Sequence, residues 1–136
     1  MYKKLEIFTD GGARGNPGPA GIGVVVWHGT KLVGAYNQYI GQATNNVAEY
    51  RAVIHGLEQA RHLGASELTF YLDSELVVNQ LERRFRVKDK ALGVLFVQAW
   101  NLIIGFRTVS FHHVPREENK DADRQVNIAI DRHLNS

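Results

Sequence analysis

The sequence predicts an α/β fold in which α-helices pack on one mixed β-sheet. Residues 5–10, 22–27 and 32–40 are three successive extended segments, the first two separated by a predicted glycine-rich loop at 11–19, an arrangement typical of an antiparallel meander. After residue 41 the apolar residues take helical spacing, and two later strands alternate with helices. Alternation of this kind favours parallel strands, so we expect five strands, three in the meander and two in a parallel part.

The first helix is predicted from four apolar residues at helical spacing over about five turns. They are Val47, Tyr50, Ile54 and Leu57. Thr44 or Asn45 is the expected N-cap, since both side chains can accept a hydrogen bond from a first-turn N–H group. Gly64 is the expected C-terminal stop.

The remaining elements follow from the same signals of strand pattern, cap and stop. They are a strand at residues 68–72, a helix capped by Ser74, a helix at 91–104 ended by Gly105, a strand at 109–114, and a helix from its cap Asn119 to residue 134. Trp27 and Trp100 lie within apolar segments, so we expect both to be core residues.

Length and composition predict a single globular domain spanning residues 1–136. The hydrophobic fraction is 44%, the charged fraction 22% and the net charge +2, so total charge alone is weak evidence for a nucleic-acid partner. Absence of cysteine excludes a disulfide framework and a thiolate metal site. No signal peptide or membrane-spanning run is evident, so we expect a cytoplasmic protein without a membrane partner, with a monomer as the default.

Four widely separated acidic residues fall at predicted strand ends or in first helical turns: Asp10, Glu49, Asp73 and Asp123. Taken singly, each has a structural explanation, as a turn-opening residue or as an acid at a helix N-terminus. Asp121 suits the helix N-terminus as well as Asp123 does. Because side chains from distant segments meet at the carboxyl ends of parallel strands, we expect one carboxylate cluster there. Several buried carboxylates require a compensating cation, and a divalent metal ion is the natural choice.

Four segments together resemble the motifs of the ribonuclease H type 1 family over nearly the whole chain. They are IFTDGGARGNPGPAGIG at 7–23, TNNVAEYRAVIHGLEQA at 44–60, LDSELVVNQL at 72–81 and HVPREENKDADRQVN at 113–127. The resemblance is to a compact form with no evident basic protrusion or hybrid-binding domain. It implies a ribonuclease H-like fold, in which a three-strand antiparallel meander and two parallel strands form one mixed sheet with helices on both faces.

The activity implied by this resemblance is metal-dependent hydrolysis of the RNA strand of RNA/DNA hybrids, giving 5′-phosphate and 3′-hydroxyl products. Two Mg²⁺ or Mn²⁺ ions about 4 Å apart can stabilise the charge that develops on the reacting oxygens. By resemblance, Asp10 bridges both ions, Asp123 helps to hold the ion that activates water, and Glu49 with Asp73 holds the ion facing the leaving oxygen.

The same resemblance selects Asp123 over Asp121, because the family pattern has Asn, three residues and then the acid, here Asn119 to Asp123. His113, ten residues before Asp123, matches the loop histidine of the family and could relay protons or assist product release. The alternative for His113 is a strand-end imidazole bonded to backbone, and His112 is the expected structural member of this pair.

Substrate contacts are also implied, at Gly11, Asn16 and Asn45 along the RNA strand and at Thr44 near a DNA phosphate. Helix capping is the alternative explanation for Asn45. Residues 83–90, RRFRVKDK, carry five basic residues and could contact phosphates or form a solvated connector. Double-stranded RNA is a possible second substrate, and a non-catalytic module that binds hybrid or double-stranded RNA is the alternative function.

Overall fold

Five strands and four α-helices form among residues 2–135, which the computed structural model describes. The strands are β1 (Lys4–Ala13), β2 (Gly18–His28), β3 (Lys31–Ala43), β4 (Glu67–Leu72) and β5 (Thr108–His113). The helices are α1 (Asn45–His62), α2 (Glu75–Leu81), α3 (Lys90–Ile103) and α4 (Lys120–Leu134), and a 3₁₀ turn (Arg116–Glu118) precedes α4. The predicted order of elements is confirmed.

The sheet has the strand order β3-β2-β1-β4-β5. β1 pairs antiparallel with β2, and β2 pairs antiparallel with β3. β1 pairs parallel with β4, and β4 pairs parallel with β5. This is the predicted combination of a three-strand meander with two parallel strands, and it makes β1 the strand that joins the two parts.

Helices cover both faces of the sheet, as predicted. Val24 and Val26 of β2 join the main core with Tyr50 and Val53 of α1, and α3 packs against α1 on that side. On the other face, α4 contacts β1, β2 and β3. A Cβ atom placed on Gly23 would overlap the Ala122 carbonyl oxygen of α4, so the missing side chain lets the helix approach the strand.

The predicted glycine-rich loop at 11–19 is shorter in the structure. β1 continues to Ala13 and β2 begins at Gly18, and the two pair as far as Ala13 with Ala20. The prediction of a long loop was wrong because glycine content weakens a strand but does not prevent pairing where a helix must pack closely. Gly11 meets that condition, since a Cβ there would overlap the backbone of Ala48 in α1.

The helix caps agree with the prediction in two cases and differ in a third. Thr44 Oγ1 accepts from the Val47 N–H group at 3.2 Å, which selects Thr44 over Asn45 as the cap of α1. Ser74 caps α2 in the same way. Asn119 occupies the cap position of α4, but its Nδ2 instead donates to the Thr9 carbonyl of β1 at 2.9 Å. That bond ties the start of α4 to the sheet.

Neither tryptophan is fully enclosed, so the prediction that both are core residues was wrong in degree. Trp27 and Trp100 are both half-buried, and Trp100 stacks with Phe96 while the Arg83 guanidinium lies 5.1 Å from its ring centre. Among residues 2–135, no helix is both long enough and apolar enough to cross a membrane.

We expect Gly23→Ala to lower the free energy of unfolding by about 1–3 kcal/mol, because the added methyl group forces α4 away from β2. Gly93→Ala is the matched control, since a Cβ at this position in α3 has no neighbour within 4 Å. Alanine is favoured over glycine in a helix, so the control should gain up to about 1 kcal/mol. Urea denaturation measures both, and equal effects would contradict the packing argument.

Candidate active site

Asp10 and Asp73 are brought together by the parallel pairing of β1 with β4. Phe8 is in register with Tyr71, so two residues further on Asp10 and Asp73 emerge at the same end of neighbouring strands. Asp10 is 7% exposed, and Asp73, directly after Leu72, is half-buried. The strand register therefore positions two carboxylates from distant parts of the sequence side by side.

Glu49 joins them from α1. Its side chain is 6% exposed, and its Oε1 accepts a hydrogen bond from the Gly11 N–H group at 2.7 Å. This bond depends on the close approach of α1 to β1 that Gly11 permits. Oxygen atoms of Asp10, Glu49 and Asp73 all lie within 4.8 Å of one another, so the structure forms a three-carboxylate cluster.

Asp123 approaches the cluster from the first turn of α4. It lines the same cavity, of about 450 Å³, and the negative charge of its carboxylate contributes to raising the pKa of Asp10. Asp121 lies elsewhere: it pairs with Arg124 at 3.8 Å and lines a separate cavity beside Trp27. Of the two acids that suited this position in the sequence, the structure places Asp123 beside Asp10.

Burial and mutual repulsion make the ionised cluster electrostatically unfavourable. Desolvation, then the charges of Asp73 and Asp123, raise the pKa of Asp10 to about 8. Desolvation and the charges of Asp10 and Asp73 raise the pKa of Glu49 well above its ordinary value, partly offset by the Gly11 hydrogen bond. Desolvation also raises the pKa of Asp73, and the positive charge of Arg116 opposes that shift.

A divalent cation fits this donor set. Carboxylate oxygens are the hard ligands that Mg²⁺ and Mn²⁺ prefer, and several of them converge here from three different elements. A bound cation would also relieve the repulsion that raises the pKa of Asp10. The cluster could therefore hold a metal ion.

Arg116 is a site residue that the sequence did not single out. It lies in the 3₁₀ turn before α4, lines the cavity, and places its Nε 4.0 Å from Asp73 Oδ2. Its side chain is 86% exposed, so the guanidinium remains available to a ligand. The only sequence signal was its position within the segment between His113 and Asp123, which does not specify a direction for the side chain.

His113 is the last residue of β5, in register with Leu72, and it is exposed. Within the described part of the chain, it is not among the residues that line the cavity. The structure thus brings His113 to the same end of the sheet as Asp73 without a contact to the cluster. His112 has structural contacts, with its Nε2 3.3 Å from Ser110 Oγ and its ring near Tyr71.

Two of the predicted substrate residues, Asn16 and Asn45, form hydrogen bonds that connect the β1–β2 region to the start of α1. Asn45 Oδ1 accepts from the Ala13 N–H group at 2.9 Å, and the Asn45 N–H group donates to Asn16 Oδ1 at 3.0 Å. Gly11 and Asn45 line the cavity, whereas Thr44 caps the helix beside it. These contacts give the side chains of Asn16, Thr44 and Asn45 a structural role. Contact of the four predicted residues with substrate stays a prediction.

Comparison with known proteins extends the resemblance seen in the motifs. The family model described as "Reverse transcriptase-like" matches residues 8–129. The bifunctional protein Rv2228c of Mycobacterium tuberculosis is 51% identical over 131 residues, covering 94% of this chain and 36% of that protein. The chain thus spans little more than a third of that relative's length.

Two solved structures match at nearly full length on both sides. RNase H1 from Halobacterium salinarum is 40% identical with a TM-score of 0.91, covering 94% of this chain and 98% of the other. LC11-RNase H1, solved in complex with an RNA/DNA hybrid, is 42% identical with a TM-score of 0.92, covering 96% and 99%. With the fold, the carboxylate cluster and this similarity, the chain belongs to the ribonuclease H type 1 family.

Proposed function

We propose that this protein is a metal-dependent endonuclease that hydrolyses the RNA strand of RNA/DNA hybrids and leaves 5′-phosphate and 3′-hydroxyl ends. The observation that carries the proposal is the convergence of Asp10, Glu49 and Asp73 within 4.8 Å, with Asp123 beside Asp10 in an open cavity. Membership of the ribonuclease H type 1 family supports this reaction, as does the hybrid bound to a relative of similar length.

Asp10, Glu49, Asp73 and Asp123 are the residues that would hold the metal, which we propose to be two Mg²⁺ or Mn²⁺ ions. When bound, such ions supply activation of water and neutralisation of charge on the phosphate oxygens. The protein contributes prearranged ligands. Glu49 is fixed by the Gly11 N–H group, and the register of β1 with β4 fixes the spacing of Asp10 and Asp73.

Positively polarised groups on the cavity wall are suited to a nucleic-acid backbone. Asn45 and Asn46, at the N-terminus of α1, line the cavity, and a helix N-terminus favours a phosphate group. Arg116, mostly exposed beside Asp73, could make a bidentate phosphate contact. We propose that these groups orient the scissile strand, while the hydrogen bond between Asn45 and Asn16 keeps the first turn of α1 in place.

His113 is proposed to act after the strand is bound. Its exposed position at the end of β5 suits exchange of a proton with solvent or departing product rather than contact with the resting cluster.

We also propose that double-stranded RNA is a second substrate, that the protein is a monomer and that it is cytoplasmic. The connector 83–90, which carries exposed Arg83 and Phe85, is a further phosphate-contact candidate.

We expect Asp10→Asn to lower hybrid cleavage roughly a hundredfold or more, because a neutral amide weakens the metal site. Asp121→Asn, which removes an acid from the same first turn of α4 but outside the cluster, should keep wild-type activity. The measurement is gel-resolved cleavage of an end-labelled RNA/DNA hybrid, beside RNA and DNA duplexes, with Mg²⁺, Mn²⁺ or chelator. Hybrid binding by the wild-type protein without any cleavage would favour the binding-module alternative.

The same substitution should stabilise the metal-free protein at high pH. Folding raises the pKa of Asp10 from its ordinary value of 3.8 to about 8, so between these two pH values the folded state binds a proton that the unfolded state has released. Stability of the wild type in chelator therefore falls as pH rises from about 4 to 8. Asp10→Asn removes this loss, and we expect a gain of roughly 1–3 kcal/mol at pH 8 that vanishes near pH 4.

Calorimetric unfolding in chelator across this pH range measures that difference. Added Mg²⁺ should reduce the advantage of Asp10→Asn, since an ion that binds only the folded wild type stabilises it by mass action. A variant that is less stable than the wild type at pH 8 in chelator would show that repulsion within the cluster is not the dominant effect.

A further inference from the structure

A series of polar contacts leads from the β1–β2 connection to Asp123 along one wall of the cavity. Arg14 Nη1 forms an ion pair with Asp131 Oδ1 of α4 at 2.7 Å, and Arg14 Nη2 donates to Asn127 Oδ1 at 3.1 Å. Asn127 Nδ2 donates to the Asp123 carbonyl at 3.1 Å and reaches Asp123 Oδ2 at 3.5 Å. Arg14, Asn127 and Asp123 all line the cavity.

The direction of the Asn127 amide follows from the chemistry of its neighbours. A guanidinium carries only donors, so Asn127 must present its oxygen to Arg14. The amide NH₂ group then necessarily faces the opposite way, toward Asp123. A carboxylate carries only acceptors, so this orientation matches both ends of the amide. Asp131 in turn holds Arg14 against α4, so the guanidinium cannot turn away without losing an ion pair.

Asp123 has more need of such support than the other three acids. Glu49 is fixed by a backbone N–H group, and Asp10 and Asp73 are positioned by paired strands. Asp123 lies half-buried in the first turn of α4 and is not a member of the group whose oxygens converge within 4.8 Å. Its carboxylate therefore has rotamer freedom that a neighbouring donor can restrict.

We propose that Asn127, oriented by Arg14, is a positioning residue that holds the Asp123 carboxylate toward Asp10. This inference rests on the proposed function, because the benefit of a fixed Asp123 is a preformed metal site. Asn127 itself need not touch substrate. Without the N–H donor of Asn127, the Asp123 carboxylate must be ordered each time the site assembles. We therefore expect its loss to lower kcat more than it weakens substrate binding.

The kinetic test uses Asn127→Ala with RNA/DNA hybrid at several Mg²⁺ concentrations. We expect kcat to fall roughly 5- to 50-fold, KM for hybrid to stay within about twofold, and the Mg²⁺ concentration for half-maximal rate to rise. Arg124→Ala is the control, since Arg124 lies on the same helix but pairs with Asp121. An unchanged kcat in Asn127→Ala, or an equal loss in the control, would overturn the proposal.

A double-mutant cycle tests whether Arg14 acts through Asn127. If it does, Arg14→Ala lowers kcat on its own, but the double variant loses no more than Asn127→Ala alone. Losses in kcat that multiply would mean that Arg14 acts independently, and this part of the inference would fail. A direct contact of Arg14 with nucleic acid would appear separately, as an increase in KM.

Metal binding gives a readout that does not require activity. The Mg²⁺-dependent rise in Tm should be smaller in Asn127→Ala than in wild type and Arg124→Ala, while the Tm values in chelator stay similar. An identical Mg²⁺-dependent rise in all three proteins would overturn the proposal. If the wild type cleaved no hybrid, the proposed function would fail, and the Tm series would still decide whether Asn127 supports the metal site.

Discussion

The organisation of this protein depends on one unfavourable interaction, the repulsion among carboxylates that the fold buries together. Desolvation and neighbouring negative charge raise the pKa of Asp10 to about 8, and the pKa of Glu49 is raised as well. Hydrophobic packing of the sheet and helices must outweigh this cost in the absence of a cation. The same repulsion would favour binding of a divalent metal ion, so the fold gives up part of its stability to keep these carboxylates together.

Backbone geometry, rather than long side-chain networks, holds most of the cluster. Parallel pairing of β1 with β4 sets the spacing of Asp10 and Asp73, and the Gly11 N–H group sets Glu49. Both depend on close packing, since a side chain at Gly11 would collide with α1. Asp123 is the exception. Its carboxylate is positioned by side chains, through the contacts from Arg14 to Asn127 and from Asn127 to Asp123, whereas the backbone positions the other three acids.

Much of the fold was predictable because its signals are local. Apolar spacing, the caps Thr44 and Ser74 and the glycine turns are each encoded within a few consecutive residues, and the structure has the predicted elements in the predicted order. The errors arose where distant packing overrides local preference. Gly11 is in a strand because α1 lies against it, and the Asn119 side chain bonds Thr9 instead of capping α4.

The sequence by itself determined the order of elements, the four acids that suit a metal site and the family that their motifs resemble, because periodicity and motif spacing are written along the chain. The motif resemblance had already selected Asp123 over Asp121, but only the tertiary structure gave the physical reason. Asp121 and Asp123, two residues apart, project about 200° from each other around α4, and the packing of that helix turns Asp123 toward Asp10. The same holds for the contacts of Arg14, Arg116 and Asn127, which depend on how separate elements pack. The spacing of residues along the chain does not specify the direction in which a side chain points.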